Sequence, residues 1–295
     1  MIPRRWTCPL ALAALCAASG LALADPPQAD AAAALRAKHE AIRDRLERNA
    51  FGRPVEIESR EKDNHLGGDV YAVVQYPFAS VDGALDKAGS WCEVLILPFN
   101  TKYCSASRGA TQLKLRIGRK AEQPATDAYP LEFSYRVAAE TGDYLRVELA
   151  APSGPLGTRD YRITLEATPL DAQRSFIHLG YSYGFGTMSR IAMQTYLSTI
   201  GSHKVGFTVV GRDADGTAEY VHGLLGATER NTMRYFLAID AYLATLSVPP
   251  PQRLARRLEA WFSACERYPL QLHEMDRGEY LSLKEREAKD VNAEL

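Results

Sequence analysis

The sequence predicts an α+β protein in which an antiparallel sheet packs against a long buried helix. Between residues 101 and 185, six segments alternate apolar with polar or charged residues or are rich in β-formers, which is typical of strands with one buried and one solvated face. Residues 227–247 are apolar nearly all round at helical spacing, which indicates a buried helix. Helical patterns also lie at residues 31–48 and after Pro251, so we expect an N-terminal helix and a C-terminal helical extension.

The N-terminus has the organisation of a secretory signal. Arg4 and Arg5 precede an apolar, uncharged run at residues 10–23, and Ala22-Leu23-Ala24 has the small-x-small form of a cleavage site. This pattern predicts cleavage after Ala24 and a periplasmic or secreted protein. The apolar run is too short for a stable membrane anchor, and no other stretch predicts a transmembrane segment.

The charge balance excludes a strongly basic protein. Residues 1–24 contain two of the 35 basic residues and none of the 36 acidic ones. The remaining chain therefore has 33 basic residues against 36 acidic ones, a formal net charge of −3. Such mild acidity gives no electrostatic footprint for nucleic acid or an anionic membrane. A hydrophobic content of 46% allows a sizeable core.

The segment before the sheet is predicted as a helix, a strand and two short helices. Residues 31–48 are rich in Ala, Leu, Arg and Glu and predict an amphipathic helix. Glycine and proline interrupt residues 49–68, for which we expect one short strand at most. Residues 69–76 predict the next strand. Ser80 is the expected N-cap of the first of two short helices, residues 81–88 and 90–96.

The sheet is predicted from alternation of side-chain types. Leu145, Val147 and Leu149 alternate with Arg146 and Glu148, which turns one apolar face toward a core. The same argument applies along the whole section, and the predicted strands are residues 101–107, 111–118, 131–139, 143–151, 160–168 and 174–185.

Helices and one hairpin follow the sheet. Residues 187–201 predict a helix, and Asp215-Gly216 predicts the turn of a hairpin. Thr228 is the expected N-cap of the buried helix, and the prolines at 249–251 end it. Two further helices are expected, followed by a solvated charged tail: residues 252–267, 270–290 and 284–295.

Three cysteines remain after removal of the predicted signal: Cys92, Cys104 and Cys265. A bend at residues 98–100 separates the first two, and an oxidising compartment favours pairing of cysteines that can meet. We predict a Cys92–Cys104 disulfide, which for a loop of this size stabilises by about 3 kcal/mol. Two buried free thiols are the alternative. Cys265 lies among aromatic residues of a helix and is expected to be a small core residue.

The order of strand, two short helices, antiparallel strands and long apolar helix resembles the helix-grip fold of the START-like superfamily. That superfamily includes lipid-transfer domains and polyketide cyclases, and the matching part runs from Asp69 to Ser247. The blocks "GDVYAVVQYPF", "WCEVLILPFNTKYC" and "ERNTMRYFLAIDAYL" also resemble uncharacterised secreted proteobacterial proteins of this type. The resemblance implies the fold but carries over no functional residue, because the superfamily has no universal catalytic motif.

The resemblance divides the chain into four parts. Two segments, residues 187–200 and 227–247, compete as the helix that the sheet grips, and the second is favoured because it is longer and more apolar. The parts are a signal peptide, an N-terminal helix with a linker, a helix-grip domain and a helical extension: residues 1–24, 25–68, 69–247 and 248–295.

A ligand cavity is expected between the sheet and the helix at 227–247. A curved sheet around one helix tends to leave space, and such pockets are mostly apolar with few polar groups. The predicted polar groups are Arg190, Asp240, Tyr181 and Tyr183. The predicted apolar lining comes from the inner face of the sheet and from the helix: Leu113, Leu115, Leu145, Val147, Ile163, Leu165, Met233, Phe236 and Leu237.

Asp240 has two interpretations. It lies on the apolar stripe of the helix, and a buried carboxylate must be paired or protonated. It is either a cavity acid that orients a ligand or one half of a structural ion pair, with Arg190 or Lys204 as possible partners. The ion pair is favoured. Other polar residues of the same helix are interpreted as helix-start and surface groups: Glu229, Arg230, Asn231 and Arg234.

The predicted function is binding or carriage of a hydrophobic, lipid-like molecule, without catalysis. A cyclase-like or aromatase-like enzyme of the same fold is the alternative, and a protein-interaction module is the third possibility. No metal site is predicted, because the acidic run at 213–216 has the form of a turn and His273 lacks the second histidine of a zinc helix. No cofactor signature is present.

Overall fold

The α+β class is confirmed in a computed structural model, which describes residues 28–198 and 203–293. The predicted signal peptide, residues 1–24, and its cleavage site lie outside the described residues. So do residues 199–201, the end of one predicted helix. Within the described ranges, no helix is both long and apolar enough to cross a lipid bilayer.

Eight antiparallel strands form the main sheet, in the spatial order β1-β2-β8-β7-β6-β5-β4-β3. The six strands predicted between residues 101 and 185 are confirmed as β3 to β8. A separate two-stranded ribbon, β9-β10, is the predicted hairpin, and its turn contains Gly216 with a φ of +83°. The strands are β1 Val55–Lys62, β2 His65–Val74, β3 Thr101–Ala106, β4 Gln112–Ile117, β5 Tyr129–Thr141, β6 Tyr144–Ser153, β7 Arg159–Pro169, β8 Ser175–Gly184, β9 Val209–Arg212 and β10 Ala218–Tyr220.

Helices cover both faces of the sheet. The helices are α1 Gln28–Glu47, α2 Phe78–Leu85, α3 Ala88–Leu95, α4 Thr187–Ser198, α5 Gly223–Leu243, α6 Pro250–Cys265, α7 Pro269–Leu272 and α8 Arg277–Ala293. Helix α5 packs on β1, β2 and β8 and is the gripped helix, so the favoured choice between the two candidate helices is confirmed. The helix-grip architecture is confirmed with it.

Strand β1 is longer than the sequence pattern suggested. It runs for eight residues and joins β2 through a tight turn at Asp63 and Asn64, whose φ angles are +51° and +60°. Asn and Asp tolerate this left-handed conformation better than other residues with side chains. The strand was underestimated because it is an edge strand, and its last three residues, "REK", are charged and exposed.

The start of α5 differs from the prediction. His222 is the N-cap residue, and Thr228 lies inside the helix, where its hydroxyl donates to the carbonyl of Leu224 at 2.9 Å. The helix comes close to β2 at Gly68, where a Cβ would collide with the side chain of Thr232. The glycine therefore permits the close contact between helix and sheet.

The C-terminal extension, helices α6 to α8, packs on α5 and adds buried aromatic side chains to the core. The indole of Trp261 donates to the carbonyl of Arg234 at 3.0 Å, and its ring lies 4.9 Å from that of Phe99. The hydroxyl of Tyr280 donates to the carbonyl of Leu97 at 2.9 Å. The extension is thus joined to the segment between α3 and β3.

The expected solvated tail is wrong for its first turn. Lys284 and Glu287 are 2% and 6% exposed, and both contact Lys102, which is 1% exposed, or its neighbours. Glu287 accepts from Lys102 at 2.7 Å and from Lys284 at 2.8 Å. Lys284 also donates to the carbonyl of Thr101 at 2.6 Å. Charged composition misled the prediction because both lysines pair with Glu287 inside the fold.

The predicted disulfide is confirmed. Cys92 on α3 and Cys104 on β3 are bonded, with their Cα atoms 5.2 Å apart. Cys265 is a free, buried thiol. Its burial raises its pKa to about 12, which makes it a poor nucleophile near neutral pH. The core role expected for it is consistent with this burial.

The outer face of the sheet has its own polar centre beneath α1. His178 on β8 lies between two carboxylates, with Nε2 2.8 Å from Asp69 and Nδ1 2.7 Å from Glu166. Arg60 also pairs with Asp69, and the hydroxyl of Tyr144 donates to Glu166 at 2.5 Å. Burial alone would lower the pKa of His178, but the two carboxylates outweigh it and raise the pKa to about 9.

Candidate functional site

A cavity of about 350 Å³ lies beside the first half of α5. It is bounded by inward residues of β4, β5, β7 and β8, by the β6–β7 connection and by α4. Its apolar and aromatic lining is Pro98, Phe99, Ile117, Leu131, Phe133, Pro155, Leu156, Tyr161, Tyr181, Tyr183, Met193, Leu224, Ala227 and Tyr235. Its polar lining is Asn100, Lys120, Thr158, Arg230, Asn231 and Arg234.

Four tyrosines line one side of the cavity. Tyr181 and Tyr183 lie two residues apart on β8 and so share the inner face of the sheet. The ring of Tyr161 stacks on Tyr183 with centroids 5.4 Å apart, and Tyr235 of α5 lies 5.3 Å from Tyr181. These rings make an apolar wall with hydroxyl groups at intervals.

The tyrosine hydroxyls remain protonated over the physiological range. Burial raises the pKa of all four, to about 12 for Tyr183. The hydroxyls of Tyr161 and Thr158 are 2.8 Å apart, and that of Tyr183 donates to the sulfur of Met193 at 3.9 Å. This side of the cavity is therefore neutral, and its hydroxyls act as donors or acceptors.

A cluster of positive charge also lines the cavity. Glu274, between α7 and α8, accepts from Lys120 at 2.6 Å and from Arg234 at 2.5 Å, and Lys204 is 3.8 Å away. Arg230, one helical turn before Arg234, also lines the cavity. A single carboxylate is thus shared by three cations, with a fourth close by.

The pKa values of this cluster reflect crowding of like charges. Burial and the neighbouring Arg234 lower the pKa of Lys120 to about 8, against the opposing effect of Glu274. Burial would raise the pKa of Glu274, but Arg234 and Lys120 outweigh it and hold the pKa below its usual value. Near neutral pH, Glu274 is ionised and Lys120 is mostly charged, so the cluster is positive.

Arg234 retains a donor that the protein does not use. The residue is 5% exposed, and its Nη2 donates to Glu274 and, at 3.4 Å, to the carbonyl of Leu272. Its Nε is buried and has no hydrogen-bond partner among the described residues. A buried donor without a partner costs about 1–3 kcal/mol, so a ligand that accepts from it gains affinity.

The entrance to the cavity lies between the β6–β7 connection and α4. Leu156 lines the cavity yet is 70% exposed, so it stands at the rim. The hydroxyl of Ser189 on α4 donates to the carbonyl of Leu156 at 2.8 Å and holds the two segments together. Met188 and Ile191 are exposed on the same helix.

Two of the predicted site residues, Tyr181 and Tyr183, line the cavity. The predicted apolar lining does not: those side chains pack against each other in the core, and none is more than 4% exposed. They are Leu113, Leu115, Leu145, Val147, Ile163, Leu165, Met233, Phe236 and Leu237. Large aliphatic groups on facing surfaces fill the space between them. The cavity opens instead where α5 presents Ala227 and Asn231.

Asp240 and Arg190 are placed outside the cavity. Asp240 accepts from Arg53 at 2.9 Å, so an ion pair is present, as the favoured interpretation had it. The partner differs from both suggested residues, since Arg190 pairs with Glu61 at 2.5 Å and Lys204 lies near Glu274. Arg53 was missed because it precedes β1, far from Asp240 in sequence.

The cationic residues of the site were also missed. The polar residues Glu229, Arg230 and Arg234 were interpreted as helix-start and surface groups, and this is wrong, because they are 0%, 6% and 5% exposed. Glu229 accepts from the amides of Phe207 and Thr208 at 2.6 and 2.9 Å. Charges at i and i+4 on a helix that is otherwise predicted to be buried were the signal that could have found them.

The described residues contain no group of His, Cys, Asp and Glu arranged to hold a metal ion. The acidic run at 213–216 forms the turn of the β9-β10 ribbon. There, the carboxylate of Asp213 accepts from the amides of Asp215 and Thr217 at 3.0 and 2.8 Å.

No family model and no curated protein matches the sequence, but solved structures resemble the fold. A conserved protein from Geobacillus kaustophilus is 12% identical, with a TM-score of 0.35, over 61% of this chain and 95% of its own. A START superfamily protein from Mycobacterium smegmatis is 10% identical, with a TM-score of 0.30, over 46% of this chain and 92% of its own. A Thalictrum flavum norcoclaurine synthase mutant, in complex with a transition state analogue, is 13% identical, with a TM-score of 0.32, over 50% of this chain and 86% of its own. At these TM-scores, the matches carry no argument about activity.

Proposed function

We propose that the protein binds a small, largely apolar molecule in the cavity beside α5, without catalysis. The observation that carries this proposal is the concave space of about 350 Å³ with a mainly aromatic and aliphatic lining. Small-molecule sites are typically concave, mostly apolar and about 300–1,000 Å³ in volume. The cavity is near the lower limit, which favours a ring compound or a single short chain over a lipid with two acyl chains.

Binding is proposed to take place outside the cytoplasm. The N-terminal sequence has the pattern of a cleaved signal, and the Cys92–Cys104 disulfide suits an oxidising compartment. An apolar molecule in the periplasm or outside the cell needs shielding from water, and a cavity with an apolar rim provides it.

The test is a fluorescence titration with N-phenyl-1-naphthylamine, a neutral probe that brightens in apolar sites. Ala227→Trp fills the cavity from α5 and is expected to weaken binding at least about tenfold. Ala255→Trp on the exposed side of α6 is the matched control and leaves binding unchanged. Leu237→Trp instead overpacks the core and is expected to destabilise the fold by about 1–3 kcal/mol. An unmodified protein that does not bind the probe contradicts the proposal.

A carbonyl-directed enzyme is the second candidate, and Lys120 is the observation that favours it. A lysine in a partly apolar site with a pKa of about 8 supplies some neutral amine at neutral pH. That amine can attack a ligand aldehyde or ketone and form an imine with loss of water. Among the residues that the structure describes, no carboxylate or histidine lines the cavity, so Lys120 would also have to serve as the base in cyclase chemistry.

Binding without catalysis is preferred because the amine is held as an ammonium by Glu274 at 2.6 Å. The two candidates are separated by incubating the protein with an aromatic aldehyde and cyanoborohydride. Reduction of an imine at Lys120 adds a fixed mass to the peptide that contains it, and Lys120→Met abolishes the adduct. Labelling spread over surface lysines, with none preferred at Lys120, counts against the enzyme.

A further inference from the structure

The cationic side of the cavity indicates which polar group a ligand carries. We infer that the cavity selects molecules with an anionic end group, whose oxygens lie against Lys120, Arg230 and Arg234. The inference rests on the proposed binding function and deepens it, because it names the ligand class: an apolar or aromatic body that ends in a carboxylate or a similar oxyanion.

The charge count around the cavity carries the first step. Lys120, Arg234 and Lys204 share the carboxylate of Glu274 within 4 Å, so this contact leaves two positive charges uncompensated. Arg230 lines the same cavity, and its Nη1 donates to the carbonyl of Val205 at 3.2 Å. In a site with low-dielectric walls, such an excess attracts an anion more strongly than it would at an exposed surface.

The unused donor of Arg234 carries the second step. The guanidinium is a planar fork of five donors that matches the geometry of a carboxylate. One edge of it is occupied by Glu274, while Nε is buried and has no partner within the described part of the chain. The side chain lines the cavity, and the inference places the oxyanion of the ligand where it supplies this missing acceptor.

A second basic cluster shows what a purely structural arrangement looks like in the same protein. Lys102 donates to Glu287 at 2.7 Å and to the carbonyls of Ala121 at 2.9 Å and Phe99 at 3.3 Å. Its three ammonium hydrogens are therefore all used by the protein. Lys102 and Lys284 share Glu287, which leaves one positive charge in excess. The cavity cluster differs in its larger excess of two, in its spare donor and in lining a cavity.

The tyrosines and the cations then have separate parts in recognition. Aromatic walls alone also bind organic cations, but Lys120, Arg230 and Arg234 repel them. An anionic ligand places its charge at the cations and its apolar body against Tyr161, Tyr181 and the neighbouring rings. The cationic residues and the tyrosines line the same cavity, so both contacts are available to one small molecule.

The experiment compares two probes with the same aromatic skeleton. 8-Anilinonaphthalene-1-sulfonate carries a sulfonate, and N-phenyl-1-naphthylamine does not. The unmodified protein is expected to bind the anionic probe at least about tenfold more tightly. Decanoate is expected to displace either probe at lower concentration than decanol or decylamine does.

The variants Lys120→Met and Arg234→Met remove charge and keep the apolar volume. Each is expected to weaken binding of the anionic probe at least about tenfold and binding of the neutral probe less than about twofold. Arg48→Met removes an exposed arginine far from the cavity and changes neither. Thermal unfolding of each variant shows that it is folded, and Lys120→Met alone carries the test if Arg234→Met does not fold.

The outcomes separate this inference from the function beneath it. If neither probe binds, the proposed function fails. If both probes bind equally and the variants leave the ratio unchanged, the cavity binds ligands but the anionic selectivity is wrong. If decylamine displaces best, the aromatic wall selects cations and the inference is overturned.

Discussion

Two buried charge clusters on opposite sides of the sheet differ in their balance. On the outer face, one cation, His178, lies between the carboxylates of Asp69 and Glu166 at 2.8 and 2.7 Å. At the cavity, one carboxylate, Glu274, lies among Lys120, Arg234 and Lys204. The first cluster is closed by the protein's own groups, while the second is left with excess charge and an unpaired donor.

The difference separates a structural network from a binding site. Both clusters shift pKa values: that of His178 is raised to about 9, and that of Lys120 is lowered to about 8. A shifted pKa therefore does not by itself mark a site, because structural ion pairs shift pKa values too. The distinguishing features are open space beside the cluster and hydrogen-bonding capacity that the protein does not satisfy.

The largest expected effect on stability comes from removing a member of the closed cluster, which consists of His178, Asp69 and Glu166. Asp69→Asn removes the carboxylate that His178 and Arg60 share, and Asp69 is only 6% exposed. Removing one member of a buried pair destabilises by about 3–5 kcal/mol, and we expect a loss near about 3 kcal/mol. Urea unfolding measures it, with the exposed Asp44→Asn as control. A loss within about 0.5 kcal/mol contradicts the view that this network stabilises the fold.

A smaller loss of stability is expected from a change at the cavity cluster, together with tighter binding of an anionic ligand. Glu274→Gln leaves Lys120, Arg234 and Lys204 without their shared carboxylate, which we expect to cost about 2 kcal/mol of unfolding free energy. An anionic ligand then replaces the lost charge, so 8-anilinonaphthalene-1-sulfonate is expected to bind more tightly than to the unmodified protein.

The control for that gain is Glu266→Gln, since Glu266 pairs with the exposed His273 rather than with the cavity cations. Isothermal titration gives the affinities, and thermal unfolding with and without the ligand gives the rescue. If Glu274→Gln binds the anion more weakly, Glu274 does not compete with the ligand, and the charge argument is wrong.

The sequence predicted the framework because periodicity reports which faces are buried. The six strands at 101–185 and the gripped helix were identified from alternation and from apolar spacing alone. The site was missed for a related reason. A cavity lies where side chains leave the space between the helix and the sheet unfilled, and periodicity does not report this. Whether Leu237 meets filled space and Ala227 meets a cavity is decided by side chains from β8, α4 and the β6–β7 connection, which are remote in sequence.

Glu274 is the clearest example of what the sequence leaves undetermined. It lies in a polar stretch of the helical extension, and nothing local distinguishes it from Glu266 or Glu279. It becomes part of the site because the extension packs on α5 and brings it to Arg234. Its partners follow from tertiary contacts, as does the pairing of Arg53 with Asp240.

The third prediction is the pH dependence of stability from the closed cluster. The folded pKa of His178, about 9, is above the unfolded value of about 6.5. The stabilisation is therefore fully present below pH 6.5 and is lost as the pH rises through 9. His178→Gln is expected to lower the free energy of unfolding relative to the unmodified protein. We expect this loss to be about 2 kcal/mol larger at pH 6 than at pH 9.5.

The comparison with His178→Gln is needed because other groups titrate in the same range. Buried Lys120 and Lys284 have pKa values near 8, and such lowered values make stability rise with pH, the opposite direction. The variant retains both lysines, so the difference between the two proteins isolates the histidine. Around it, the carboxyl pKa values of Asp69 and Glu166 are lowered, so both groups stay ionised between pH 6 and 9.5. A difference that does not change with pH contradicts this prediction.

The smallest expected effect is the pH dependence of anion binding at the open cluster. Lys120 faces Glu274, Arg234 and Arg230, and its pKa in the free protein is about 8. Below that pH the ammonium is present before the ligand arrives. Above it, binding must first restore the proton, so affinity falls by up to about tenfold per pH unit. The cavity tyrosines do not interfere, because burial raises their pKa values further above the ordinary value near 10.

Fluorescence titrations of 8-anilinonaphthalene-1-sulfonate between pH 6.5 and 9.5 measure the effect. Lys120→Met is expected to give a flat profile, whereas His178→Gln should retain the slope, since its cluster lies on the outer face of the sheet. If His178→Gln flattens the profile and Lys120→Met does not, the two clusters have been assigned to the wrong roles.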